Sequence, residues 1–224
     1  MPTKHLIDGA LEVLQKPDLL LFGAGGHARV VLDAALGCKR WGEVLACDRN
    51  EAVCAGELLQ GVAMLTLSDL PSFLGKKSQA GALHVSIGHN ASRQREAIAL
   101  GLVHLATVVH PHASVSPYAV VAAGCFVAAR AVVAPGAHLD MGVIVNHAAV
   151  VDHDVHVGAF SHIAPGAVLG GAVRIGVGVL IGAGAVVLPG ISVCDNAVVG
   201  AGAVVSAHVP TAGTWAGVPA RKLK

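Results

Sequence analysis

The sequence predicts a small α/β domain followed by a parallel β-helix, and three observations support this fold class. An apolar segment, a glycine turn and a helical pattern follow one another near the start of the chain. From Val103 to Val205, every sixth residue is aliphatic. Aromatic residues make up only 3% of the chain while glycine numbers 28, so small and β-branched side chains must fill the core.

The segment "DLLLFGAGGHARVVLDAAL" begins the α/β domain with a strand, a glycine turn and a helix, and "EVLACD" adds a second strand. This order starts a βαβ unit, so we expect a Rossmann-like domain over residues 18–102. A third strand is predicted in "GALHVSIG", followed by a helix that Asn90 opens and Gly101 closes. Residues 1–17 are expected to form a short helical extension, and their acidic residues do not fit a secretory signal.

The glycine turn suggests a binding role for the α/β domain. Gly23, Gly25 and Gly26 permit close backbone approach, and the following helix presents N–H groups that suit a diphosphate. A nicotinamide dinucleotide is one interpretation, although this domain is about half the length of a full dinucleotide fold. A purely structural turn is the second interpretation.

The six-residue period predicts the second domain, over residues 103–224 with a C-terminal tail. Its 18 aliphatic positions run unbroken from residue 103 to residue 205. Neither an α-helix nor a two-residue alternation holds such a phase, so each hexad is a short strand of a parallel β-helix. Three strands to a coil give roughly six coils.

Charge and cysteine content exclude several classes of function. The chain carries 15 basic and 14 acidic residues without a basic run, so we expect neither nucleic-acid nor membrane-surface binding. The 20 uncharged residues between Arg174 and Asp195 resemble a membrane span in length, but the hexad period accounts for them. Five cysteines without a CxxC pattern favour the reducing cytoplasm.

The stretch "VIVNHAAVVDHDVHVGAFSHIAPG", residues 143–166, concentrates four histidines and two aspartates among small apolar residues. Such a cluster can be a metal site, a base with an orienting carboxylate, or exposed polar decoration of the β-helix. His153 is the strongest candidate for a base, because carboxylates flank it on both sides. We expect His138, His147 and His156 to be surface side chains without a task.

The sequence resembles the bacterial nucleotide-sugar acyltransferases of the left-handed β-helix superfamily, of the PglD, NeuD and PerB type. The motifs that match are "FGAGGHARVV", "SIGHN", the histidine-rich stretch and the terminal "WAGVPARKL", and together they span nearly the whole chain. The resemblance implies a left-handed β-helix, acetyl-CoA as co-substrate, no metal, and a homotrimer with sites between adjacent rods.

The resemblance also assigns roles to individual positions. His153 matches the catalytic base, Asp154 the acid that raises its basicity, and Asp152 and Asn146 polar neighbours on the same surface. The positions that match the substrate-binding residues are Gly25, Gly26, His27, Asp48 and Gly88. Those that match acetyl-CoA contacts are His162, Gly171, Ala183 and Ala201.

The implied reaction is N-acetylation of the 4-amino group of a nucleotide-linked 4-amino-4,6-dideoxy sugar, with UDP as the expected carrier. Cys47 stands where relatives often have aspartate, and His89 replaces a frequent Asn or Asp, so GDP and dTDP stay open. O-acetylation of a sialic acid, as in the NeuD type, is the alternative reaction.

A metal-dependent lyase and a non-catalytic binding solenoid are two further interpretations of the chain. The zinc-dependent carbonic anhydrases with a β-helix require two histidines five residues apart. Position 152, five after His147, is aspartate, and the residues five after His153, His156 and His162 are glycine, serine and alanine. The spacing therefore argues against that metal site.

Overall fold

The computed structural model describes residues 16–59, 61–74, 82–101 and 105–223. The helix expected over residues 1–17 lies almost entirely outside the described residues.

A parallel four-stranded sheet forms the N-terminal unit, with β1 (Leu19–Phe22), β2 (Val44–Cys47), β3 (Met64–Leu65) and β4 (Ala82–Val85) in the order β3-β2-β1-β4. Its helices are α1 (Gly26–Gly37), α2 (Glu51–Cys54), α3 (Leu70–Leu74) after a 3₁₀ turn (Leu67–Asp69), and α4 (Asn90–Ala99). The central strand β1 is fully apolar and buried, as expected for a sheet covered on both faces.

Helix α4 begins at Asn90 as expected, but the residue that caps it is His89. His89 is the cap, because its ring Nδ1 accepts the Ser92 N–H at 3.3 Å. Asn90 instead donates its side-chain amide to the carbonyls of Gly178 and Val179 in the second domain. From the sequence, an asparagine at the start of a helix is predicted to be its N-cap. Its role as a donor to the second domain becomes visible only when the two domains are packed together.

The second domain is a left-handed β-helix with three faces; the hexad period predicts the parallel β-helix, and the family resemblance implies its handedness. The domain face, which the N-terminal unit covers, contains β5 (Val108–Val109), β8 (Phe126–Val127), β11 (Ile144–Val145), β14 (His162–Ile163), β17 (Leu180–Ile181), β20 (Ala197–Val199), β22 (Gly213–Ala216) and β23 (Arg221–Lys222). The valine face contains β6 (Ser114–Val115), β9 (Val132–Val133), β12 (Val150–Val151), β15 (Val168–Leu169), β18 (Val186–Val187) and β21 (Val204–Val205). The polar face contains β7 (Val120–Val121), β10 (His138–Leu139), β13 (His156–Val157), β16 (Arg174–Ile175) and β19 (Ser192–Val193).

In the two-residue strands of the hexad repeat the second residue points inward, so the aliphatic hexad positions stack into one continuous core; the antiparallel strand β23 lies outside this pattern, with both residues exposed. The first residue points outward, so the outward residues decide whether a face is apolar or polar. Many corners between faces contain a residue with positive φ, which glycine adopts without strain. The coil that carries His153 departs from the use of glycine, because its three corners place Ala148, Asp154 and Phe160 in this conformation.

The two units share a hydrophobic interface. Phe126 and Ile144 of the domain face are buried against Ala28 and Val31 of helix α1. This contact holds the start of α1 over the β-helix, next to the coil with the histidine-rich stretch.

Arg93 of α4 joins the units through hydrogen bonds and is 1% exposed. Its guanidinium donates to Ile87 and Gly88 in its own unit, and to Gly142, Phe160 and Ser161 in the β-helix. Five carbonyl oxygens thus share one buried cation, whose pKa burial lowers to about 10.

Arg93→Met should lower the free energy of unfolding by at least about 3 kcal/mol, because it removes the guanidinium donor from carbonyls in the domain interface; of these, Ser161 keeps the backbone N–H of Ile144 as a donor. Arg95→Met is the matched control, since the Arg95 side chain is 70% exposed and should change stability little. Urea unfolding of both variants measures the difference. Equal stability of the two variants would show that the Arg93 contacts contribute nothing net.

Among the helices of the described residues, none combines the length and the apolar character that crossing a bilayer requires.

Candidate active site

The candidate residues of the β-helix lie along two of its edges, except His162, which is on strand β14 of the domain face. The first edge joins the domain face to the valine face and includes residues 146–149, 164–167, 182–185 and 200–203. The second edge joins the valine face to the polar face and includes residues 152–155 and 170–173. The valine face therefore separates the two groups within one chain.

His153 and Asp154 form the centre of the second edge, and both side chains are exposed. The Nδ1 atom of His153 lies 2.9 Å from Asp154 Oδ2, and the backbone N–H of His153 donates to Asp152 Oδ1 at 2.7 Å. The hydrogen bond to Asp154, together with the charge of Asp152, raises the pKa of His153. With Nδ1–H held by a carboxylate, Nε2 is the free nitrogen that can take up a proton.

Two glycines make room for this pair. Gly171, one coil further on, lies under the His153 ring, and Gly136, one coil earlier, lies against the Asp154 carboxylate. A Cβ on either glycine would collide with the facing side chain. Gly171 matches an acyl-donor contact in the family resemblance, and in this chain it lies against the His153 ring.

His27, His162 and Asn146 form a second cluster, where helix α1 meets the domain face. The His27 and His162 ring centroids are 6.2 Å apart, and Asn146 Nδ2 lies 3.1 Å from His162 Nε2. Gly88, on the loop after β4, approaches the His27 ring. Asn146 and His153 lie on different edges with the valine face between them, so within one chain they do not share a surface as expected.

Burial keeps both imidazoles of this cluster neutral. It lowers the pKa of His27 to about 3, with a further contribution from His162. It lowers the pKa of His162 to about 4, with a further contribution from Arg93. His27 Nε2 is buried without a hydrogen-bond partner among the described residues. A buried polar nitrogen of this kind is costly unless a ligand pairs with it.

The glycine turn opens toward the same cluster. Gly25 is the N-cap of α1 and Gly26 its first residue, both are exposed, and no atom lies within 4 Å of where their Cβ atoms would be. Asp48, after β2, accepts hydrogen bonds from the backbone N–H groups of Ala24 and Asn50 at 2.8 and 2.9 Å. Asp48 therefore shapes the turn directly, and its carboxylate keeps further acceptor capacity.

Ala183 and Ala201 are exposed corner residues of the first edge, on the coils that follow Asn146. A groove of about 370 Å³ runs beside this region and is lined by residues of both units, among them Gly88, His89, Gln94, His162 and Leu180. The structure thus gathers Gly25, Gly26, His27, Gly88, His162 and Asn146 into one region and leaves His153, Asp154, Asp152 and Gly171 in another.

A third buried histidine gives the fold a pH dependence. His84 is 1% exposed, its Nδ1 lies 2.8 Å from the Ala106 carbonyl, and burial lowers its pKa from 6.5 to about 4. Between these pH values the unfolded chain binds more protons, so stability is full above pH 6.5 and falls as the pH drops toward 4.

We expect His84 to contribute a loss of about 3 kcal/mol across this window. Urea unfolding at several pH values should show a shallower dependence for His84→Gln than for the wild-type chain. The variant and the wild type are compared by the slope of the free energy of unfolding against pH, because the substitution itself can destabilise the core and lower the absolute stability. Identical slopes for the two chains would contradict the assignment of this pH dependence to His84.

Comparison with known proteins identifies the family. The model of the PglD N-terminal domain matches residues 18–100, and that of the hexapeptide repeat of succinyl-transferase matches residues 172–207. The acetyltransferase domain of PglB from Neisseria gonorrhoeae FA1090 is 36% identical and superimposes with a TM-score of 0.85, over 93% of this chain and 100% of that chain. The chain belongs to the PglD-type family of nucleotide-sugar acyltransferases. A search of curated proteins found no significant match.

Two further solved structures carry ligands. The same PglB domain in complex with acetyl coenzyme A is 37% identical, with a TM-score of 0.85 over 93% of this chain and 100% of that chain. A histidine-to-asparagine variant of perosamine N-acetyltransferase from Caulobacter crescentus, in complex with CoA and GDP-perosamine, is 31% identical. Its TM-score is 0.83 over 91% of this chain and 95% of that chain.

For this member of the PglD-type family, sequence reasoning missed Arg93 and the second role of Asn90. Both lie in "NASRQREAIALGL", where polar residues fit an exposed helix face. No local signal distinguishes Arg93 from Arg95, since burial depends on how α4 docks on the β-helix.

Proposed function

We propose that this chain is an acetyl-CoA-dependent N-acetyltransferase of a nucleotide-linked 4-amino-4,6-dideoxy sugar, acting as a homotrimer. The observation that carries the proposal is the placement of the two clusters. His153 and the His27–His162–Asn146 cluster flank the valine face on opposite edges, so a neighbouring copy can complete each site.

The valine face supports the trimer. After Ser114 on the first strand, its outward residues form a valine column in register along the β-helix, namely Val132, Val150, Val168, Val186 and Val204. The polar face carries Val120, His138, His156, Arg174 and Ser192 in the same positions. An extended apolar sheet face favours burial, and a second copy of the chain fits it because cyclic packing brings the first edge of one copy to the second edge of the next.

In the proposed mechanism, His153 of one copy faces the His27–His162–Asn146 cluster of its neighbour. The sugar amine attacks the thioester carbonyl of acetyl-CoA, His153 Nε2 takes the amine proton, and the CoA thiolate leaves. Asp154 holds the reactive tautomer and stabilises the imidazolium that forms. Direct transfer needs no acyl-enzyme, because both substrates are held side by side.

The α/β unit binds the nucleotide sugar. The exposed N-terminus of α1 at Gly25 and Gly26 presents N–H groups to the diphosphate. His27 is neutral and its Nε2 has no partner among the described residues, so it can donate one hydrogen bond to a ligand oxygen there. The proposed acyl-donor path is lined by His162 on the domain face and by Ala183 and Ala201 on the first edge, while Gly171 holds His153 in position from the second edge.

UDP is the proposed carrier, and a panel of acceptors tests it. UDP-, GDP- and dTDP-linked 4-amino sugars, with free and CMP-linked sialic acid, are assayed by CoA release from acetyl-CoA in the presence of a chelator. Turnover of a UDP-linked amino sugar supports the full proposal, and preference for a GDP-linked sugar corrects the carrier. Turnover of a sialic acid alone would overturn N-acetylation, and loss of activity on adding the chelator would favour a metal-dependent reaction.

We place the enzyme in the cytoplasm, where both substrates are available. The five cysteines are free in the structure, and free thiols persist best in a reducing compartment.

A further inference from the structure

A group of three potential metal ligands lies on the polar face, apart from both clusters of the candidate active site. His138 and His156 are directly opposite each other on the paired strands β10 and β13, with ring centroids 5.3 Å apart. Asp140 follows two residues after His138 and points to the same side. His138 and His156 are neighbours because they are 18 residues apart, which is the length of one coil. A search for two histidines five residues apart does not find such a pair.

The Asp140 carboxylate lies between the two rings. Its Oδ1 is 3.3 Å from His138 Nε2, and its Oδ2 is 3.2 Å from His156 Nε2. One donor atom from each of the three residues falls within 4.8 Å of the others. We propose that His138, Asp140 and His156 bind a Zn²⁺ ion.

The distances suit a tetrahedral ion. With zinc–nitrogen bonds of about 2.0–2.1 Å and zinc–oxygen bonds of about 2.0–2.2 Å, neighbouring ligands of a tetrahedral site lie roughly 3.3–3.5 Å apart. The two nitrogen–oxygen distances are already close to this value. The side chains of His138 and His156 are 47% and 41% exposed, which leaves both rings free to make the remaining adjustment.

The three side chains are also chemically suited to bind Zn²⁺. Two imidazoles and one carboxylate are ligands that Zn²⁺ accepts, and three protein ligands leave a position for water or a small anion. Asp140 and His156 line a groove of about 450 Å³ on the polar face, into which that position can open. Arg174, the next outward residue after His156 in the same column, favours an anion as the fourth ligand.

The ion would connect two successive coils and stabilise the folded chain by mass action. It would take no part in acetyl transfer, since its ligands project from the polar face rather than from the edges that flank the valine face. The proposal therefore stands or falls independently of the proposed function.

Calorimetric titration of Zn²⁺ into untagged, metal-free protein tests the site. We expect one site per chain in the wild type, and binding weakened at least about 10-fold in His156→Ala and in Asp140→Asn. The control His112→Ala removes an exposed histidine that lies outside the three, and it should bind Zn²⁺ as the wild type does. Wild-type binding no tighter than that of Asp140→Asn would overturn the proposal.

Co²⁺ provides a second readout. In the wild type it should give the intense visible absorption of a tetrahedral ion, and in Asp140→Asn only the weak absorption of the hydrated ion. Zn²⁺ should raise the Tm of the wild type and of His112→Ala but not of the two ligand variants. A weak spectrum and an unchanged Tm in the wild type would identify the three residues as a hydrogen-bonded surface group only.

Discussion

Replacing His153 with alanine is expected to lower kcat by roughly 10²–10⁴-fold, the usual contribution of one positioned base, while the fold stays intact. The side chain is 60% exposed and carries no core packing, so the loss of activity should not follow from unfolding. Steady-state CoA release measures the effect, and circular dichroism with ultracentrifugation checks the fold and assembly. His112→Ala, which also removes an exposed histidine of the β-helix, is the matched control and should keep wild-type activity.

Asp154→Asn separates the role of the carboxylate from that of the base. The Asp154 hydrogen bond raises the pKa of His153, so its loss should move the acidic limb of the kcat/KM profile to lower pH. The maximal rate should fall less than in His153→Ala, because the imidazole remains. Wild-type turnover in His153→Ala, or an equal loss in His112→Ala, would show that the base lies elsewhere.

Val150→Lys is expected to dissociate the trimer and to abolish turnover together with it. Val150 lies in the middle of the valine column, and a charge buried between apolar faces is strongly unfavourable. If each site takes residues from two copies, as proposed, the monomer should lose activity as severely as the loss of the base, roughly 10²–10⁴-fold. Ultracentrifugation and CoA release on the same sample measure both effects.

Val120→Lys is the matched control for this substitution. Val120 occupies the equivalent outward position on the polar face and is 52% exposed, so lysine should be tolerated there. An active trimer of Val150→Lys, or dissociation by Val120→Lys, would show that a different face mediates assembly.

The hexad period predicts the β-helix because a single inward residue per strand is a one-dimensional signal that survives in sequence. The same period also shows which residues share an edge of the β-helix, and this information argues against placing Asn146 with His153 in one chain. Residues share an edge when they are 18 apart, as His153 and Gly171 are, whereas Asn146 and His153 occupy successive corners of one coil. Sequence proximity within a solenoid thus indicates the same coil and not the same surface.

The docking of the α/β unit on the β-helix could not be predicted in this way. Arg93 and Asn90 of α4 acquire their partners only when the two units meet, and no residue pattern within α4 specifies those partners. The unpaired His27 Nε2 is likewise a property of the assembled interface, since its burial arises from Phe126 and the neighbouring coil. The glycine turn predicts a ligand at α1, but not which histidine of the β-helix would face it.

Mixed trimers test most directly whether each site is shared between copies. His153→Ala is co-expressed with a second chain that carries both His27→Ala and His162→Ala, and the differently tagged mixture is purified after each parent is shown to be folded, trimeric and inactive. If neighbouring copies supply the two clusters, one of the three sites in each mixed trimer is intact, so mixed trimers purified through both tags should recover about a third of wild-type activity, and an unfractionated random 1:1 assembly about a quarter. A mixture as inactive as its parents would contradict the shared site and place His153 and the His27–His162–Asn146 cluster in separate functions.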